Sequence, residues 1–260
     1  MLKDQTVFIT GGASGIGRAV ARQIAAAGGR IGICDRDAAA AERAADEINA
    51  AGGRAAHAAA DVRQMDQIQA ALASLEAALG APSGVLACAG VSQTTLLDQL
   101  SAERDELLFQ VNLLGVARTL EASLPGLKRR GGGWFGGVSS LVALRGLPFT
   151  AAYCGSKSGV AEYLEGLRPW LTRAGIDLTV IYPGYVKTPL TDQGAVKPPI
   201  KALEPEQAAS YIVTALQRRQ PVCAFPRGMA FALRLMRCLP ARTYDRFMTN
   251  ASRSSPHLKY

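Results

Sequence analysis

Histidine is almost absent: His57 and His257 are the only two in 260 residues, so no histidine-based metal cluster can be assembled, and no metal is expected. Five cysteines, at 34, 88, 154, 223 and 238, are odd in number, widely spaced and free of any C-x-x-C pair. That excludes a disulfide framework, and Cys34, Cys88 and Cys223, in short apolar runs, read as small buried hydrophobes. No stretch reaches the roughly 18 uninterrupted apolar residues that spanning a bilayer needs. The 27 glycines and 13 prolines follow no strict period, which excludes a collagen-like chain. With 48% hydrophobic residues, disorder as the main state is excluded as well. The start, Met1-Leu2-Lys3-Asp4-Gln5, carries no readable secretory signal, and a cytoplasmic location is the expectation.

Acidic residues are scarce only at one end. The net charge of +8 raises the question of nucleic acid or anionic membrane as a partner. Residues 1–196 hold 18 Lys/Arg and 18 Asp/Glu, whereas 197–260 hold 11 and 3, so the whole excess lies in the last quarter. No nucleic-acid module is recognisable, and no nucleic acid is expected as a partner.

Apolar runs alternate with helical patterns along the chain. The spacing predicts strands at 7–10, 30–34, 54–60, 84–88, 134–139, 177–182 and 221–225. Helices are predicted at 15–27, 38–50, 64–79, 101–127, 152–174 and 205–218. Such alternation implies parallel strands joined by right-handed crossovers. The fold class is therefore α/β: a doubly wound, Rossmann-like parallel sheet with helices on both faces. Its ligand belongs at the carboxyl ends of the strands. No linker divides it, which leaves residues 1–226 as one domain and 227–260 as a basic amphipathic C-terminal segment.

Thr10-Gly11-Gly12-Ala13-Ser14-Gly15-Ile16-Gly17 lies between the first strand and the first helix. Gly11 allows the sharp turn, Gly15 lets a phosphate approach the backbone, and Gly17 lets helix and strand pack closely. The helix N-terminus, from Ser14 and Ile16 onward, then offers N–H groups to a pyrophosphate. Asp35, ending the second strand, suits the adenosine ribose hydroxyls and repels a 2′-phosphate, while Arg36 beside it favours one. Ser14, where a basic residue would favour NADP, tips the expectation to NAD.

Tyr153-Cys154-Gly155-Ser156-Lys157 opens a helix, and the i, i+4 spacing puts the Lys157 ammonium beside the Tyr153 hydroxyl. An unperturbed tyrosine titrates near pH 10, so acid/base work at neutrality asks for about 4 kcal/mol of phenolate stabilisation. A neighbouring cation is expected to lower the Tyr153 pKa accordingly.

These motifs together resemble the short-chain dehydrogenase/reductase family, over residues 5–225 or so. Ser140 matches the family's catalytic serine and Asn112 its catalytic-helix asparagine. Asp61 and Val62 match the segment near the adenine, and Ala89-Gly90 the end of the fourth strand. Pro183, Gly184, Val186 and Thr188 match the segment that holds the nicotinamide. The chain departs from the family at Ala87-Cys88-Ala89-Gly90, where Asn-Asn-Ala-Gly is usual, and this bears on cofactor affinity. The resemblance implies hydride transfer between a nicotinamide cofactor and a small-molecule secondary alcohol or ketone. Tyr153 would exchange the proton and Ser140 hydrogen-bond the reacting oxygen. Lys157 would bind the nicotinamide ribose, and Asn112 would hold a water that reaches it. Residues 1–226 would then be the catalytic domain, in a chain expected to form homo-oligomers. A nucleotide-binding or scaffold protein on the same fold is the rival reading.

Residues 141–149 are apolar and border the substrate in this family, which suggests an apolar or acyl-bearing substrate; otherwise they pack beneath the loop. Residues 189–204 read as a lid over the pocket. In the tail, Met229, Phe231, Leu233, Leu235, Met236 and Leu239 read as one apolar arc with Arg234 and Arg237 outside it. Such a segment would pack on its own substrate pocket or a second subunit, or lie on an anionic bilayer. The last would make the protein a membrane-peripheral, lipid-modifying reductase.

Overall fold

Buried β-rich runs alternate with amphipathic helices, and the computed structural model, which describes residues 2–192 and 202–253, assembles them into one parallel sheet. The strands are β1 (Thr6–Thr10), β2 (Arg30–Asp35), β3 (Arg54–Ala59), β4 (Gly84–Ala87), β5 (Gly133–Val138), β6 (Ile176–Pro183) and β7 (Val222–Phe225). Their order is β3-β2-β1-β4-β5-β6-β7. The order reverses between β1 and β4, and this switch point opens a crevice at the strands' carboxyl ends.

Alternation along each strand serves two cores. Val7 and Ile9 of β1 face α1 (Gly15–Ala26), α2 (Ala38–Ala50) and α8 (Pro205–Gln217). Phe8 faces the opposite layer, which holds α3 (Met65–Leu79), α5 (Gly115–Arg129) and α6 (Ala151–Arg173). Ile9, Ile31, Ile33, Phe135 and Val180 have no exposed surface, and each such side chain is worth about 1.5–3 kcal/mol of burial. The helix ends follow their local chemistry. Asp37 accepts from the Ala40 N–H at 2.9 Å to start α2, and Glu204 and Gln207 form a reciprocal capping box on α8.

The single helix expected over 101–127 is interrupted. α4 (Ala102–Leu108) and α5 are joined through a π-helical stretch, Phe109–Leu114. The wider turn inserts a residue into the helical register, a distortion frequent at functional sites, and Asn112 lies within it. A short α7 (Pro189–Asp192) follows β6. The remainder of the expected lid, residues 193–201, lies outside the described residues, as does the tail beyond 253.

The tail forms α9 (Arg227–Arg237) and α10 (Ala241–Arg253). Its apolar residues do not form one arc, contrary to the wheel reading. Met229, Ala230 and Leu233 pack on the body, while Phe231 is 71% and Leu235 61% exposed on the other side. Arg234 and Arg237 instead flank a small recess against Tyr182 and Glu162 of the body. At 100° per residue, positions 231 and 235 fall on the helix side opposite 229 and 233. No described helix is long and apolar enough to cross a membrane.

Candidate active site

The glycine turn is built so tightly that side chains are excluded from it. A Cβ on Gly11, whose φ is +68°, would stand 2.6 Å from the Ala89 backbone; one on Gly17 would stand 2.1 Å from the Gly11 carbonyl oxygen. A Cβ on Gly15 (φ +49°) would meet Thr188 Cγ2 at 2.9 Å. The turn, the end of β4 and the segment after β6 therefore meet at the crevice. Ser14 precedes α1 in extended conformation and makes no side-chain cap, so its side chain leaves the amides of Gly15 and Ile16 to whatever anion docks there. A pyrophosphate fits this cradle. Ile16 is half-buried and packs on the core below.

Asp35 closes one side. Its Oδ2 accepts from the Ala13 N–H at 3.2 Å and its Oδ1 from the Asp37 N–H at 3.3 Å. Arg36 beside it is exposed. Asp61 is clamped by Arg63, with Nε at 3.0 Å from Oδ1 and Nη2 at 2.6 Å from Oδ2, and this pairing holds its carboxyl below the usual carboxylate range. Val62 is buried, and its Cγ2 stands 2.8 Å from where a Gly115 Cβ would be. It faces α5 rather than open space.

After β6, the Gly184 N–H donates to Phe225 O at 2.7 Å, and Val186 is buried in a bridge with Leu203. Thr188 is held by its N–H bond to Thr191 Oγ1 at 3.0 Å, and Lys187 pairs with Glu204. Pro183 ends β6 and offers its carbonyl to Ser140, whose Oγ lies 3.4 Å away.

At the opposite wall, the Ser140 hydroxyl faces that of Tyr153. Ser140 Oγ also accepts from the Val142 N–H at 3.3 Å. Both backbone contacts are long, so the hydroxyl is readily redirected to another oxygen. Lys157 is 3% exposed, and its Nζ donates to Val138 O at 2.9 Å. It stands 6.0 Å from the Tyr153 ring centre. Gly90 borders the same space: a Cβ there would lie 3.4 Å from Lys157 Nζ and 3.2 Å from Asn112 Oδ1.

Asn112 is fully buried, and its carboxamide is engaged. It accepts from Val91 N at 2.8 Å and donates to Val91 O at 2.9 Å and to Ser156 Oγ at 3.0 Å. Ser156 Oγ in turn donates to Tyr153 O at 2.9 Å. Asn112 thus ties the segment after β4 to the helix that carries Tyr153 and Lys157.

The expected lowering of the Tyr153 pKa is reversed. Burial pushes the phenol up to about 12, against the Ser140 hydrogen bond, and burial pushes Lys157 down to about 8. Desolvation disfavours the charged form of each, and the Lys157 ammonium is turned to Val138 O rather than to the phenol.

Two residues enter the site without a role assigned to them in the sequence, although Cys88 lies where the chain departs from the family's Asn-Asn-Ala-Gly. Cys88, read there as a filler, lies between the turn and Lys157: the Gly17 N–H donates to it, and Lys157 opposes the rise of its pKa to about 11. Tyr185 stands near enough to Tyr153 and Cys154 for their charges to interact. Tyr185 has no spacing signal, and the crossovers bring both to the site. Among the described residues no group of His, Cys, Asp and Glu is placed to hold a metal.

Comparison with known proteins agrees with this fold. A family model described as short chain dehydrogenase matches residues 5–197. An uncharacterised oxidoreductase of Myxococcus xanthus (strain DK1622) is 34% identical over 93% of this chain and 95% of its own length. A probable oxidoreductase, EphD, of Mycobacterium tuberculosis (strain ATCC 25618 / H37Rv) is 32% identical over 84% of the chain, which spans 40% of that protein. Among solved structures, a short-chain dehydrogenase/reductase from Burkholderia phymatum in complex with NAD superposes with TM-score 0.83 at 24% identity, covering 90% of this chain and 93% of that one.

Proposed function

The chain belongs to the short-chain dehydrogenase/reductase family of oxidoreductases, and from that premise we propose that it interconverts a secondary alcohol and its ketone with NAD(H), with Tyr153 moving the proton. The bound nicotinamide supplies or accepts the hydride. Gly11, Ser14, Gly15, Ile16 and Gly17 would cradle its pyrophosphate, Asp35 its adenosine ribose, and Pro183, Gly184, Val186 and Thr188 its nicotinamide end.

In reduction, Tyr153 gives its proton to the substrate oxygen as that oxygen gains charge, while Ser140 donates to the same atom. Lys157 holds a positive charge close to the phenolate left behind. Asn112 is a positioning residue that keeps α6 in register with the crevice. The observation that carries the reading is the convergence of the Ser140 and Tyr153 hydroxyls beside a buried lysine at the mouth of the glycine cradle.

NAD is preferred over NADP on the strength of the Asp35 carboxylate beside the turn. Arg63 is engaged by Asp61 and Arg18 by Glu47 at 2.5 Å, which leaves Arg36 as the neighbouring cation that would favour NADP.

Replacing Tyr153 by Phe should lower turnover by at least about a hundredfold while NADH binding, followed by its fluorescence, is retained. Surviving activity would sink the mechanism. A wild-type protein that binds NADH yet turns over no alcohol or ketone would favour the scaffold reading.

Homo-oligomers in the cytoplasm are the proposed form, supported by apolar side chains left exposed on α4 to α6, among them Leu107 and Trp170. A membrane-peripheral variant of the same enzyme is supported by exposed Phe231 and Leu235 in a segment that is basic.

A further inference from the structure

The depth at which Lys157 sits is set by how closely α6 approaches the end of β5. Gly137 makes the approach possible: a Cβ there would stand 2.2 Å from Leu164 Cδ1, and Leu164 lies two turns beyond Lys157 on the same face of α6. From the other side the π-helical stretch holds the same turns. A Cβ on Gly155 would meet Phe109 Cζ at 3.4 Å, and one on Gly159 would meet Leu113 Cδ2 at 3.0 Å. Between them Asn112 bonds Ser156 Oγ at 3.0 Å.

Hydrogen bonds from the end of β5 cross to Lys157 at two points. Ser139 follows β5, is 2% exposed, and falls on the same side of the sheet as Gly137. Its N–H donates to Ile181 O at 2.7 Å, which fixes it to β6, and its hydroxyl donates to the Lys157 backbone carbonyl at 2.7 Å. That carbonyl belongs to the helical ladder of α6, and Ser139 takes its second lone pair. The Lys157 ammonium donates to the carbonyl of Val138, the residue before, at 2.9 Å. Lys157 is thus held at both ends by adjacent residues, its backbone by Ser139 and its tip by Val138.

We propose that Ser139 is the positioning residue for Lys157, fixing its backbone so that the ammonium reaches Val138 O and stands beside Tyr153. The proposal rests on the reductase reading above and adds to it the residue that sets the depth of the lysine. Without the Ser139 hydroxyl, the turn of α6 that carries Lys157 is free to draw back from β5, and the ammonium with it. The titratable groups facing that ammonium are Tyr153 on α6 and Cys88 after β4. Burial pushes them up to about 12 and about 11. Both are therefore neutral where Lys157 loses its charge, and the alkaline limb of the rate reports on Lys157.

The test compares Ser139→Ala, Ser139→Thr and Ser123→Ala in NADH-dependent reduction of octanone, reading kcat, KM and the pH at which kcat/KM falls. Ser139→Ala should lower kcat about tenfold with KM little changed. Its alkaline limb should move above that of the wild type, because a lysine drawn back is less desolvated. Ser139→Thr, which keeps the hydroxyl, should restore both. Ser123 is buried to the same 2% and donates within its own helix, to Leu120 O at 2.9 Å, so Ser123→Ala should lower the Tm and leave the limb in place. A Ser139→Ala limb at the wild-type pH overturns the proposal whatever the stability of the variant, since the limb does not depend on the fraction of enzyme folded. So does a Ser139→Thr enzyme as impaired as Ser139→Ala, or a Ser123→Ala limb displaced as far. A wild type without an alkaline limb overturns the role of Lys157 on which the proposal depends. A wild type that binds NADH yet reduces no ketone would instead overturn the parent reading, and this one with it.

Discussion

Tyr153 and Lys157 are displaced by the same burial in opposite directions, the phenol to about 12 and the ammonium to about 8. Through neutrality Tyr153 is therefore held as the proton donor, the form that ketone reduction uses, and Lys157 remains charged. As pH rises the first group to change is Lys157, which loses its charge through about 8 while Tyr153 is still protonated. We expect kcat/KM for NADH-dependent reduction to be level at neutral pH and to fall above about 8. A pH–rate profile that climbs through that value would count against Lys157 as the stabilising cation. Residue types and spacings were legible for this pair; the sign of the Tyr153 shift was not, because it is set by burial, which only the packing around the phenol decides.

At the scale of elements, the strands were readable from short apolar runs and most helices from their caps and glycine stops. Gly28, with φ +85°, ends α1, and its N–H reaches Ala25 O at 2.8 Å. The π-helical stretch around Asn112 was not readable, since propensity along 101–127 is uniformly helical and the distortion serves bonds to Val91 and Ser156 far away in sequence. The amphipathic tail was legible as amphipathic, but its docking decides which residues are free. Phe231 and Leu235, one turn apart on the outward side of α9, have exposed Arg227 and Arg234 nearby. If the tail touches anionic membrane, Phe231→Ser with Leu235→Ser should abolish co-sedimentation with phosphatidylserine vesicles and leave ketone reduction intact. Equal recovery of wild type and double variant would remove the membrane-peripheral reading.

For the whole molecule, the order β3-β2-β1-β4-β5-β6-β7 brings the glycine turn, Ala89, Thr188 and the Tyr153 helix to one edge. A ligand bridging these parts stabilises the folded state by linkage: about 2.7 kcal/mol at 100 times its Kd, or about 5–10 °C in a domain of this size. We therefore expect NADH to raise the Tm by several degrees and NADPH, at equal concentration, by clearly less, because of the Asp35 carboxylate. A larger shift with NADPH would reverse the assignment. By itself the sequence determined the α/β alternation, the glycine cradle and the Tyr153–Lys157 pair, since periodicity, φ-permissive glycines and i, i+4 spacing are local properties. Only the tertiary structure decided the direction of the Tyr153 shift, the place of Cys88 and Tyr185, and which side chains of the tail are buried on the body. These depend on burial and on contacts between residues far apart in the chain, which appear only once the crossovers have stacked the layers.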